Sequence, residues 1–420
     1  MLRIGFWRAH GLDDRWSETP ALAGLSLEAH AKYVLGEAVH FEFFAHPDEL
    51  VASDVDVAAI SSVTGVWPFA LDAIAQCKAA GKRVVVGGAH ISAAPWSLPP
   101  EADLAVIGEG EALFTGALGR MLDGHALPRE LGDARPLNLD NATWLPVAAL
   151  AEGRSLAAVA SRGCPYRCSF CSASRFWRGV RRFSPQYIAS WIAERVGSFE
   201  QISFHDLMAA ADVQWLTELA EALEPVGLGE KFRISLMSGR TNLVTPKLCQ
   251  ALKRLGVQLI GVGMESCSPP VLAKLKPHCT VEDHERAVRL CYEHEILLSS
   301  SFILGTPGES AHDLQATYDF IARWQGRYFR QGGIFVLTPY PGTPWWDYAM
   351  ECGVLTEPVD WTRFRSCVGT LDWDWDAPLY LNEATMRRGE TKRWQQAISR
   401  MCGERREDLM TPEGLRDEPR

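Results

Sequence analysis

Three cysteines form the densest group of chemically reactive residues in the sequence. Cys164, Cys168 and Cys171 lie in RGCPYRCSFC with the spacing C-x-x-x-C-x-x-C. Three thiolates on one short loop can hold three irons of a 4Fe-4S cluster, which usually has four cysteine ligands, so the fourth iron would keep an open coordination position. A zinc site would require a fourth Cys or His, and residues 172–201 contain neither. The spacing therefore favours an iron–sulfur cluster over a zinc knuckle or an accidental grouping.

The segments around and after these cysteines alternate between strand-like and helix-like patterns. Helical segments such as 212–225 and 246–256 separate six candidate strands. These strands are SLAAVAS, QISFHD, FRISLMS, VQLIGVGM, ILLSSSFILG and GGIFVLTP. Such alternation is typical of a parallel sheet covered by helices. Six units are too few for an eight-unit barrel, so we expect an α/β fold with a partial (β/α)6 barrel over residues 155–343 and chemistry at the carboxyl ends of its strands.

Residues 1–125 show a separate alternation of the same kind. Five short apolar runs read as strands, at residues 2–7, 39–44, 55–61, 82–88 and 103–108. Between the third and the fourth, Phe69, Ile74 and Cys77 predict the apolar stripe of a helix that ends at Gly81. Five strands with crossover helices predict a small Rossmann-like, doubly wound domain, whose ligands bind beyond the carboxyl ends of its strands.

The remaining segments are a linker and a C-terminal extension. Residues 126–154 contain several prolines and little periodicity, so we expect a linker. Residues 344–420 begin with an irregular Trp-rich part, are predicted to be helical from Glu383 to Met401, and end in the charged tail RREDLMTPEGLRDEPR. We expect the Trp-rich part to close the open side of the barrel as a lid, with its indoles packed inward. A dimer surface or a peptide-substrate surface is the alternative.

Length and composition limit the class of protein. A chain of 420 residues with 47% hydrophobic and 22% charged residues fits a multidomain globular protein rather than a disordered or fibrous one. The net charge of −10 argues against a general affinity for nucleic acid or anionic membranes. Eleven cysteines, an odd number and mostly isolated, do not resemble a disulfide framework. We find neither a signal peptide nor an apolar run of about 18 residues, so we expect a cytoplasmic protein.

The cysteine motif, with Phe170 just before its third cysteine, resembles that of the radical SAM superfamily. In that superfamily the open iron binds the amino and carboxylate groups of S-adenosylmethionine (SAM), and one-electron reduction cleaves SAM to a 5′-deoxyadenosyl radical. The resemblance covers most of the second domain, because SFILGTPGES resembles the family's fifth-strand exit and TPYPGTPWW its sixth. It implies that Cys164, Cys168 and Cys171 bind a 4Fe-4S cluster.

Four residues are candidate SAM contacts. Phe170 occupies a position that lies near the adenine in the family, and Glu265, in a G-x-E-S sequence, occupies one that often makes a polar contact to SAM. A solvated charge at a strand end is the alternative for Glu265. Asp206, which closes QISFHD, and Arg240, in SGRTN, follow the second and third strands of the barrel. Each could bind the aminocarboxylate of SAM or cap the next helix.

A doubly wound domain before a radical SAM barrel resembles the cobalamin-binding class of the superfamily. Three strand-end loops carry this resemblance: ISSVTG, VVVGGAHISAAP and DLAVIGEGEALF. Glycines let the backbone approach a bulky ligand, and hydroxyls can bond its nucleotide tail. The implied cobalamin contacts are Ser61, Ser62, Thr64, Gly65, Gly87, Gly88, His90, Gly108, Glu109 and Gly110. Domains that ligate cobalt through histidine carry D-x-H-x-x-G after the first strand, but this chain has WRAHGLDD, so we do not expect His10 to be a ligand.

The resemblance implies a radical SAM methyltransferase of the cobalamin-dependent, class B type. Cobalamin would take a methyl group from one SAM, and a radical from a second SAM would abstract hydrogen from an unactivated substrate carbon, which then accepts the methyl group. The implied partners are a small-molecule or peptide-derived substrate from natural product biosynthesis and an electron donor such as flavodoxin or ferredoxin. Neither the substrate nor the oligomeric state follows from the sequence.

Alternative functions remain open at this point. The same motifs fit a cobalamin-dependent rearrangement or ring contraction, and also a radical SAM enzyme that does not use cobalamin. A methylthiotransferase would carry three cysteines in its first domain, where this chain has Cys77 alone. It would also carry a basic C-terminal RNA-binding domain, and we see no such domain in this sequence. A non-catalytic cobalamin or Fe–S sensor would commonly carry a DNA- or partner-binding module, and neither a basic helix nor a second module is visible.

The other cysteines divide into two groups. Cys249 and Cys291 fall on apolar helical stripes and are expected to be small core residues. The residues that could instead approach the active site or its rim are Cys267, His278, Cys279, Cys352 and Cys367.

Overall fold

The computed structural model describes residues 1–10, 22–132, 138–141, 147–149, 155–177, 179–364 and 379–409. Within these ranges, two sheets of mainly parallel strands follow one another along the chain, and helices cover both. None of the helices in these ranges is long and apolar enough to cross a membrane.

The first sheet contains the five strands predicted from the N-terminal sequence, which are thereby confirmed, and one more. Its strands are β1 (Leu2–Arg8), β2 (Val39–Phe43), β3 (Val57–Ser61), β4 (Arg83–Gly87), β5 (Leu104–Val106) and β6 (Glu130–Leu131). Its helices are α1 (Leu22–Leu35), α2 (Pro47–Ala52), α3 (Trp67–Ala79), α4 (Ala89–Ala93) and α5 (Gly110–Leu122). The strand order is β2-β1-β3-β4-β5-β6, and all neighbours are parallel. In such sheets the direction of winding changes between β1 and β3, the position beyond which ligands bind.

Both faces of the first sheet are covered by apolar side chains. Ile4 and Phe6 of β1 belong to the core on one face, and Trp7 belongs to the core on the other. Side chains alternate between the faces of a strand, so a nearly continuous apolar run such as LRIGFW is the pattern of a strand buried on both sides. Helix α3 buries Cys77 in the same core as Trp7.

The second sheet contains the six strands predicted after residue 155, which are likewise confirmed. Its strands are β7 (Val147–Ala149), β8 (Ser155–Ala158), β11 (Gln201–Phe204), β12 (Arg233–Gly239), β13 (Leu259–Glu265), β14 (Leu297–Leu304) and β15 (Phe329–Val336), and a separate hairpin pairs β9 (Ser161–Arg162) with β10 (Arg181–Arg182). Six of these strands are parallel and lie in chain order, namely β8, β11, β12, β13, β14 and β15, whereas β7 pairs antiparallel with β8.

Helices follow the strands of the second sheet. They are α6 (Ala173–Phe176), α7 (Pro185–Ala193), α8 (Val213–Leu223), α9 (Pro246–Arg254), α10 (Pro269–Leu275), α11 (Val281–Glu293) and α12 (Ala311–Trp324). Helices α8 and α9 confirm the two helical segments predicted from the apolar periodicity. One large core lies between these helices and the sheet.

The predicted linker contributes a strand to each sheet. Within residues 126–154, β6 pairs with β5 and β7 pairs with β8. Strands of two or three residues are too short to show an alternating pattern, so the sequence did not reveal them.

The extension contains α13 (Pro344–Glu351), a single 3-10 turn (Trp361–Phe364) and α14 (Arg388–Leu409). Helix α14 begins at Arg388 rather than at the predicted Glu383, because the chain first makes a turn in which the N–H of Met386 bonds to the carbonyl of Asn382. Residues 365–378, which include Cys367 and most of the segment LDWDWDAPLY, lie outside the described residues, as do residues 410–420.

Two of the described tryptophans of the extension, Trp346 and Trp361, connect it to the loops of the first sheet. Trp361 packs edge-on against His90, with ring centroids 4.7 Å apart, and stacks on Trp346 at 5.9 Å. Phe364 is fully buried against both indoles. Helix α14 packs on α12 and on the last strand, β15. The described part of the extension therefore bridges the two sheets, and its role as a lid stays a prediction.

Candidate active site

The three motif cysteines lie on the loop between β9 and α6, and each is half-buried. Ser169, within this loop, donates its N–H to the carbonyl of Leu275 at 3.0 Å and its hydroxyl to that of Lys274 at 2.8 Å. The indole N–H of Trp345 donates to the same hydroxyl at 2.9 Å. These bonds hold the loop, hereafter the cluster loop (residues 163–171), against the end of α10 and the start of α13.

The cysteines suit a cluster rather than a single ion. No three Cys, His, Asp or Glu side chains among the described residues are placed to hold one metal ion. In a four-iron cluster each thiolate binds its own iron, so the sulfurs need not converge on one point. Burial raises the pKa of the Cys164 and Cys168 thiols, and the nearby cations Arg240 and Lys276 oppose that rise. Because the thiolate is the form that binds metal, this charge arrangement fits the cluster.

Arg240 is fixed against the cluster loop. Its guanidinium donates to the Cys168 sulfur at 3.3 Å, to the Pro277 carbonyl at 2.7 Å and to Asn242 Oδ1 at 2.9 Å, and it lies 4.1 Å from the ring of Tyr166. The short helical turn that follows Arg240 has no side-chain cap. Of the two roles left open for Arg240, capping is therefore not observed, and its contacts place a positive charge beside the cysteines.

Glu265 ends β13 in an unusual backbone conformation. Its φ is +68°, a left-handed value that costs a non-glycine residue energy and is often found at functional sites. The side chain is buried and lies 3.3 Å from the ammonium of Lys276, which also donates to the Gly263 carbonyl. Burial raises the pKa of Glu265, while Lys276 and Arg240 act in the opposite direction. Glu265 is thus a buried, paired carboxylate and not a solvated charge.

A pocket of about 220 Å³ lies beside the cluster loop. Phe170 and Glu265, two of the residues expected to contact SAM, both line it. Its other walls come from the ends of β14 and β15 and the residues that follow, Ser301, Ile303, Phe335, Val336, Leu337, Thr338 and Tyr340. The aromatic rings and strand-end backbone of this pocket fit a flat adenine, and Glu265 adds one buried carboxylate to its wall.

A larger cavity, of about 400 Å³, lies where the carboxyl ends of the two sheets meet. We call it the inter-sheet cavity. From the first sheet it is lined by Phe6, Ala59, Ile60, Ser61, Val85, Gly87, Gly88, Ala89, Val106, Gly108, Glu109, Gly110 and Glu111, and by Leu22, Ala23, Ser26, Leu27 and Phe114 of α1 and α5. From the second part of the chain it is lined by Val159, Ser161, Arg162, Gly163, Ala173, Phe176, Trp177, His205, Asp206 and Leu207.

The ten residues predicted to contact cobalamin separate into two groups. Six of them line the inter-sheet cavity: Ser61, Gly87, Gly88, Gly108, Glu109 and Gly110. The other four, Ser62, Thr64, Gly65 and His90, do not line it. At Gly88, φ is +96° and an added Cβ would lie 2.7 Å from the Ser62 carbonyl oxygen, so the backbone there approaches its neighbour as closely as glycine alone allows.

Neither His90 nor His10, the histidine that follows β1, lines the cavity. His90 is fully buried, stacks on Trp67 at 4.2 Å, and forms hydrogen bonds with Thr64 (3.2 Å) and Ser97 (3.0 Å). Burial lowers the pKa of His90 to about 3, which keeps the ring neutral. The prediction of His90 as a cofactor contact thus fails on geometry, because its loop turns the ring into the core. His10 bonds through Nε2 to the Ala45 carbonyl at 2.7 Å.

Asp206 lies in the inter-sheet cavity and not in the pocket that holds Glu265. The reason is topological: β11 is next to β8, on the side of the sheet toward the first sheet, whereas β13 to β15 lie beyond it. Burial raises the pKa of Asp206 to about 6, while the Ala160 N–H, which donates to Oδ2 at 3.2 Å, opposes that rise. One carboxylate oxygen, Oδ1, is buried without a hydrogen-bond partner.

A group of charged residues lies at one wall of this cavity, and the sequence analysis missed its two arginines. Arg162 pairs with Glu109 at 3.0 Å and with Glu111, and Arg181 also pairs with Glu109. The predicted cobalamin contact Glu109 is therefore already occupied by two guanidinium groups. The pKa of Glu111 is lowered, because the charge of Arg162 and the hydrogen bonds from Arg162 and Ser26 outweigh the effect of burial, which alone would raise it. The partners are 51 or more residues apart in the chain, so no local sequence pattern predicts these pairs.

The remaining cysteines take mostly structural positions. Cys249 and Cys291 are buried and interact with each other, which confirms them as core residues. Cys267 is buried and its pKa is raised well above the usual value by that burial. Cys279 contacts Thr241 at 3.1 Å, next to Arg240, whereas Cys352 is exposed at the end of α13.

Comparison with known proteins agrees with this geometry. Residues 159–321 match the Radical SAM superfamily. Over 379 residues the chain is 26% identical to an uncharacterized methyltransferase of Pyrococcus horikoshii, covering 82% of this chain and 80% of that protein. It is 27% identical over 331 residues to bacteriochlorophyllide d C-12(1)-methyltransferase of Chlorobaculum tepidum, covering 74% of this chain and 69% of that protein.

A solved structure shares the fold. It is the radical S-adenosylmethionine methyltransferase TsrM from Kitasatospora setae with cobalamin and a [4Fe-4S] cluster bound, at a TM-score of 0.64 and 18% identity, covering 85% of this chain and 80% of that chain. The cluster loop, the pocket beside it and the inter-sheet cavity thus belong to a chain that carries a radical SAM domain, is related to methyltransferases and has the fold of a cobalamin-binding member of the radical SAM superfamily.

Proposed function

We propose that the protein is a cobalamin-dependent radical SAM methyltransferase that methylates an unactivated carbon. One observation carries the proposal: the inter-sheet cavity is lined by the implied cobalamin loops of the first sheet and by residues 161–163, which directly precede the first cluster cysteine. When bound, the cluster and SAM supply a 5′-deoxyadenosyl radical, and cobalamin supplies a methyl group. We infer that the second sheet is the partial (β/α)6 barrel, over residues 155–343, and that residues 1–125 are the cobalamin domain.

The residues beside the cysteines would hold the cluster and orient SAM. Cys164, Cys168 and Cys171 provide three thiolates, and Arg240 and Lys276 offset their negative charge. Glu265 would bind the amino group of SAM and Phe170 would contact its adenine, because both line the pocket beside the cluster loop. A fixed geometry of this kind reduces the entropy that must be lost as the reacting groups meet.

The inter-sheet cavity would hold part of cobalamin. Its glycines, including Gly88, let the backbone approach the ligand, and the apolar side chains of α1, α5 and the strand ends exclude water. A volume of about 400 Å³ would suit the nucleotide tail of cobalamin. Asp206, with one unpartnered carboxylate oxygen, would contact this ligand rather than SAM.

The relatives support methylation as the reaction. Two of them are named as methyltransferases, and one of those acts on bacteriochlorophyllide d. We propose a small-molecule or peptide-derived substrate and a one-electron donor such as flavodoxin or ferredoxin. A cobalamin-dependent rearrangement or ring contraction is the second candidate, because it would use the same motifs. Over 188 residues the chain is also 28% identical to an anaerobic magnesium-protoporphyrin IX monomethyl ester cyclase of Cereibacter sphaeroides, whose name gives a ring closure rather than a methyl transfer.

Anaerobic reconstitution with iron, sulfide and hydroxocobalamin tests the cofactors. We expect the protein to retain cobalamin after gel filtration, seen in its visible spectrum, and to form 5′-deoxyadenosine from SAM under reduction. The triple variant Cys164→Ala, Cys168→Ala, Cys171→Ala should lose the cluster signal and SAM cleavage. Cys352→Ala, which removes an exposed cysteine outside the cluster loop, is the matched control and should keep both. Retained SAM cleavage in the triple variant would refute the cluster assignment.

Labelled SAM tests the reaction. With a substrate in hand, SAM carrying a deuterated methyl group should give a product with three additional deuterium atoms, because the methyl group is transferred intact. A product that forms without label would exclude methyl transfer and favour rearrangement.

A further inference from the structure

A buried group of charged residues connects the two sheets at the wall of the inter-sheet cavity. Arg162, in β9, pairs with Glu109 at 3.0 Å and with Glu111, and donates to Ser26 Oγ at 3.1 Å. Ser26 donates in turn to Glu111 at 2.8 Å, and Arg181, in β10, pairs with Glu109. We call these five residues the inter-sheet ion network.

The inter-sheet ion network is too deeply buried to be an ordinary surface feature. The side chains of Arg162, Glu109 and Glu111 are 7%, 11% and 8% exposed. Desolvation offsets much of the attraction within buried ion pairs, so such a network is weak evidence for added stability. Its geometric effect is larger, because a planar guanidinium bonded to two carboxylates and a hydroxyl has one orientation. The network therefore fixes the relative positions of the elements that carry it.

One end of the inter-sheet ion network leads directly into the cluster loop. Arg162 is followed by Gly163 and then by Cys164. Gly163 has a φ of +92°, and an added Cβ would overlap the carbonyl oxygen of Gly179, so the backbone is packed tightly there. Arg162 also lies opposite Arg181 in the β9–β10 hairpin. The position of the Arg162 side chain therefore constrains where the first cysteine lies.

The other end leads into the loops of the first sheet. Glu109 and Glu111 flank Gly110, where β5 is followed by α5, and Ser26 belongs to α1. These three residues line the inter-sheet cavity together with Arg162. The ring of Trp177, 5.5 Å from the Arg162 guanidinium, lines it as well.

We propose that Arg162 is a positioning residue that holds the cluster loop at a fixed place relative to the first sheet, through Glu109 and Glu111. The proposal rests on the proposed function, since it concerns the spacing between the cluster and the cavity assigned to cobalamin. Arg162 acts through the network and is not a catalytic residue. A change in the first sheet is thereby transmitted to the cysteines.

Hydrogen–deuterium exchange on the protein without added cofactors tests this coupling. Glu111→Gln changes the start of α5, the helix that follows β5, and Arg162→Lys keeps the charge but loses the planar fork. In both variants we expect amide exchange within residues 163–171 to quicken about tenfold, because local opening becomes easier, while exchange in β12 to β14 stays unchanged and shows that the fold is intact. Arg254→Gln is the matched control: Arg254 also pairs with two glutamates, Glu221 and Glu224, but on an exposed surface.

Unchanged exchange within residues 163–171 in Glu111→Gln would overturn the proposal, and so would an equal increase in Arg254→Gln. Pulsed EPR on the reconstituted protein gives a second readout, the distance distribution between the reduced cluster and cob(II)alamin. We expect this distribution to broaden in Glu111→Gln at unchanged iron and cobalamin content, and an identical distribution would contradict positioning. If the unsubstituted protein binds no cobalamin, the proposed function fails, and the exchange experiment alone decides the coupling.

Discussion

Glu309 is a buried carboxyl group whose ionisation should make the stability of the protein depend on pH. It follows β14 and is 1% exposed. Its Oε2 accepts the N–H groups of Gly305 at 2.6 Å and Thr306 at 3.3 Å, whereas Oε1 is buried without a hydrogen-bond partner. Burial raises the pKa of Glu309 to about 8, with Asp313 adding to the rise and the two N–H groups and Lys274 opposing it.

The sign and size of the effect follow from this pKa. In the unfolded chain Glu309 loses its proton near the ordinary pKa of 4.5, whereas in the folded protein it keeps the proton up to about pH 8. Between these values the folded state binds one more proton, so its free energy of unfolding falls as pH rises. Each pH unit costs ~1.4 kcal/mol, which gives about 3 kcal/mol between pH 5 and pH 7.5. Glu309→Gln has no ionisable group and removes this contribution.

Urea unfolding of the two proteins at pH 5, 6 and 7.5, under anaerobic and reducing conditions, measures the difference. Between pH 5 and pH 7.5 we expect the free energy of unfolding of Glu309→Gln to rise by about 3 kcal/mol relative to that of the unsubstituted protein. The slope of the free energy against urea concentration should not change. Glu282→Gln is the control, because hydrogen bonds lower the pKa of the exposed Glu282, so any divergence should appear below pH 5 and with the opposite sign. Parallel stability curves for Glu309→Gln and the unsubstituted protein would refute a raised pKa.

Three further substitutions probe the cavity, the cluster loop and the extension. Gly88→Val should abolish hydroxocobalamin binding in a folded protein, because its Cβ would lie 2.7 Å from the Ser62 carbonyl oxygen at a residue with positive φ. The control is Gly116→Ala, which has open space around its Cβ and should bind hydroxocobalamin normally in the same gel-filtration assay. Arg240→Gln removes the positive charge beside Cys168 and should shift the cluster to a more negative reduction potential in an EPR-monitored titration; an unchanged potential would contradict the charge argument. Phe364→Ala should lower the free energy of unfolding by about 3 to 5 kcal/mol in urea, because Phe364 is fully buried, and a loss below about 1 kcal/mol would show that the extension contributes little packing.

Local patterns predicted the elements of the fold. All eleven strands proposed from the sequence are present, because a buried parallel strand leaves a short apolar run between helical segments. The pattern fails where elements are too short, as in β6 and β7, and at the start of α14, where a turn around Asn382 delays the helix. For β6 and β7 the cause is their length, because two or three residues carry too little periodicity to outweigh the contacts they make in the folded chain.

The site was predictable where chemistry is concentrated in one segment and not where it is assembled across the chain. The cysteine loop stands out in the sequence because its three cysteines lie within a few residues of one another, with Phe170 among them. Lys276 was missed, although it pairs with the predicted Glu265 at 3.3 Å, because a lysine at a helix end is ordinarily exposed. His90 shows the opposite error, since a polar residue in a glycine-rich loop can equally turn into the core.

Position at a strand end does not by itself assign a ligand. Asp206 and Arg240 follow the neighbouring strands β11 and β12, and the sequence treats them alike. The first lines the inter-sheet cavity and the second contacts Cys168. The reason is that β8 and β11 end at that cavity, whereas β12 adjoins β13, whose last residue, Glu265, lines the small pocket. The segment 161–171 passes from one site to the other, with Ser161 lining the cavity and Phe170 lining the pocket. A substitution in this segment, such as Gly163→Ala, should therefore weaken the binding of cobalamin and of SAM together, whereas a substitution at Gly88 should weaken the binding of cobalamin alone. If Gly163→Ala changes the binding of one ligand and not of the other, the two sites are not joined through this segment.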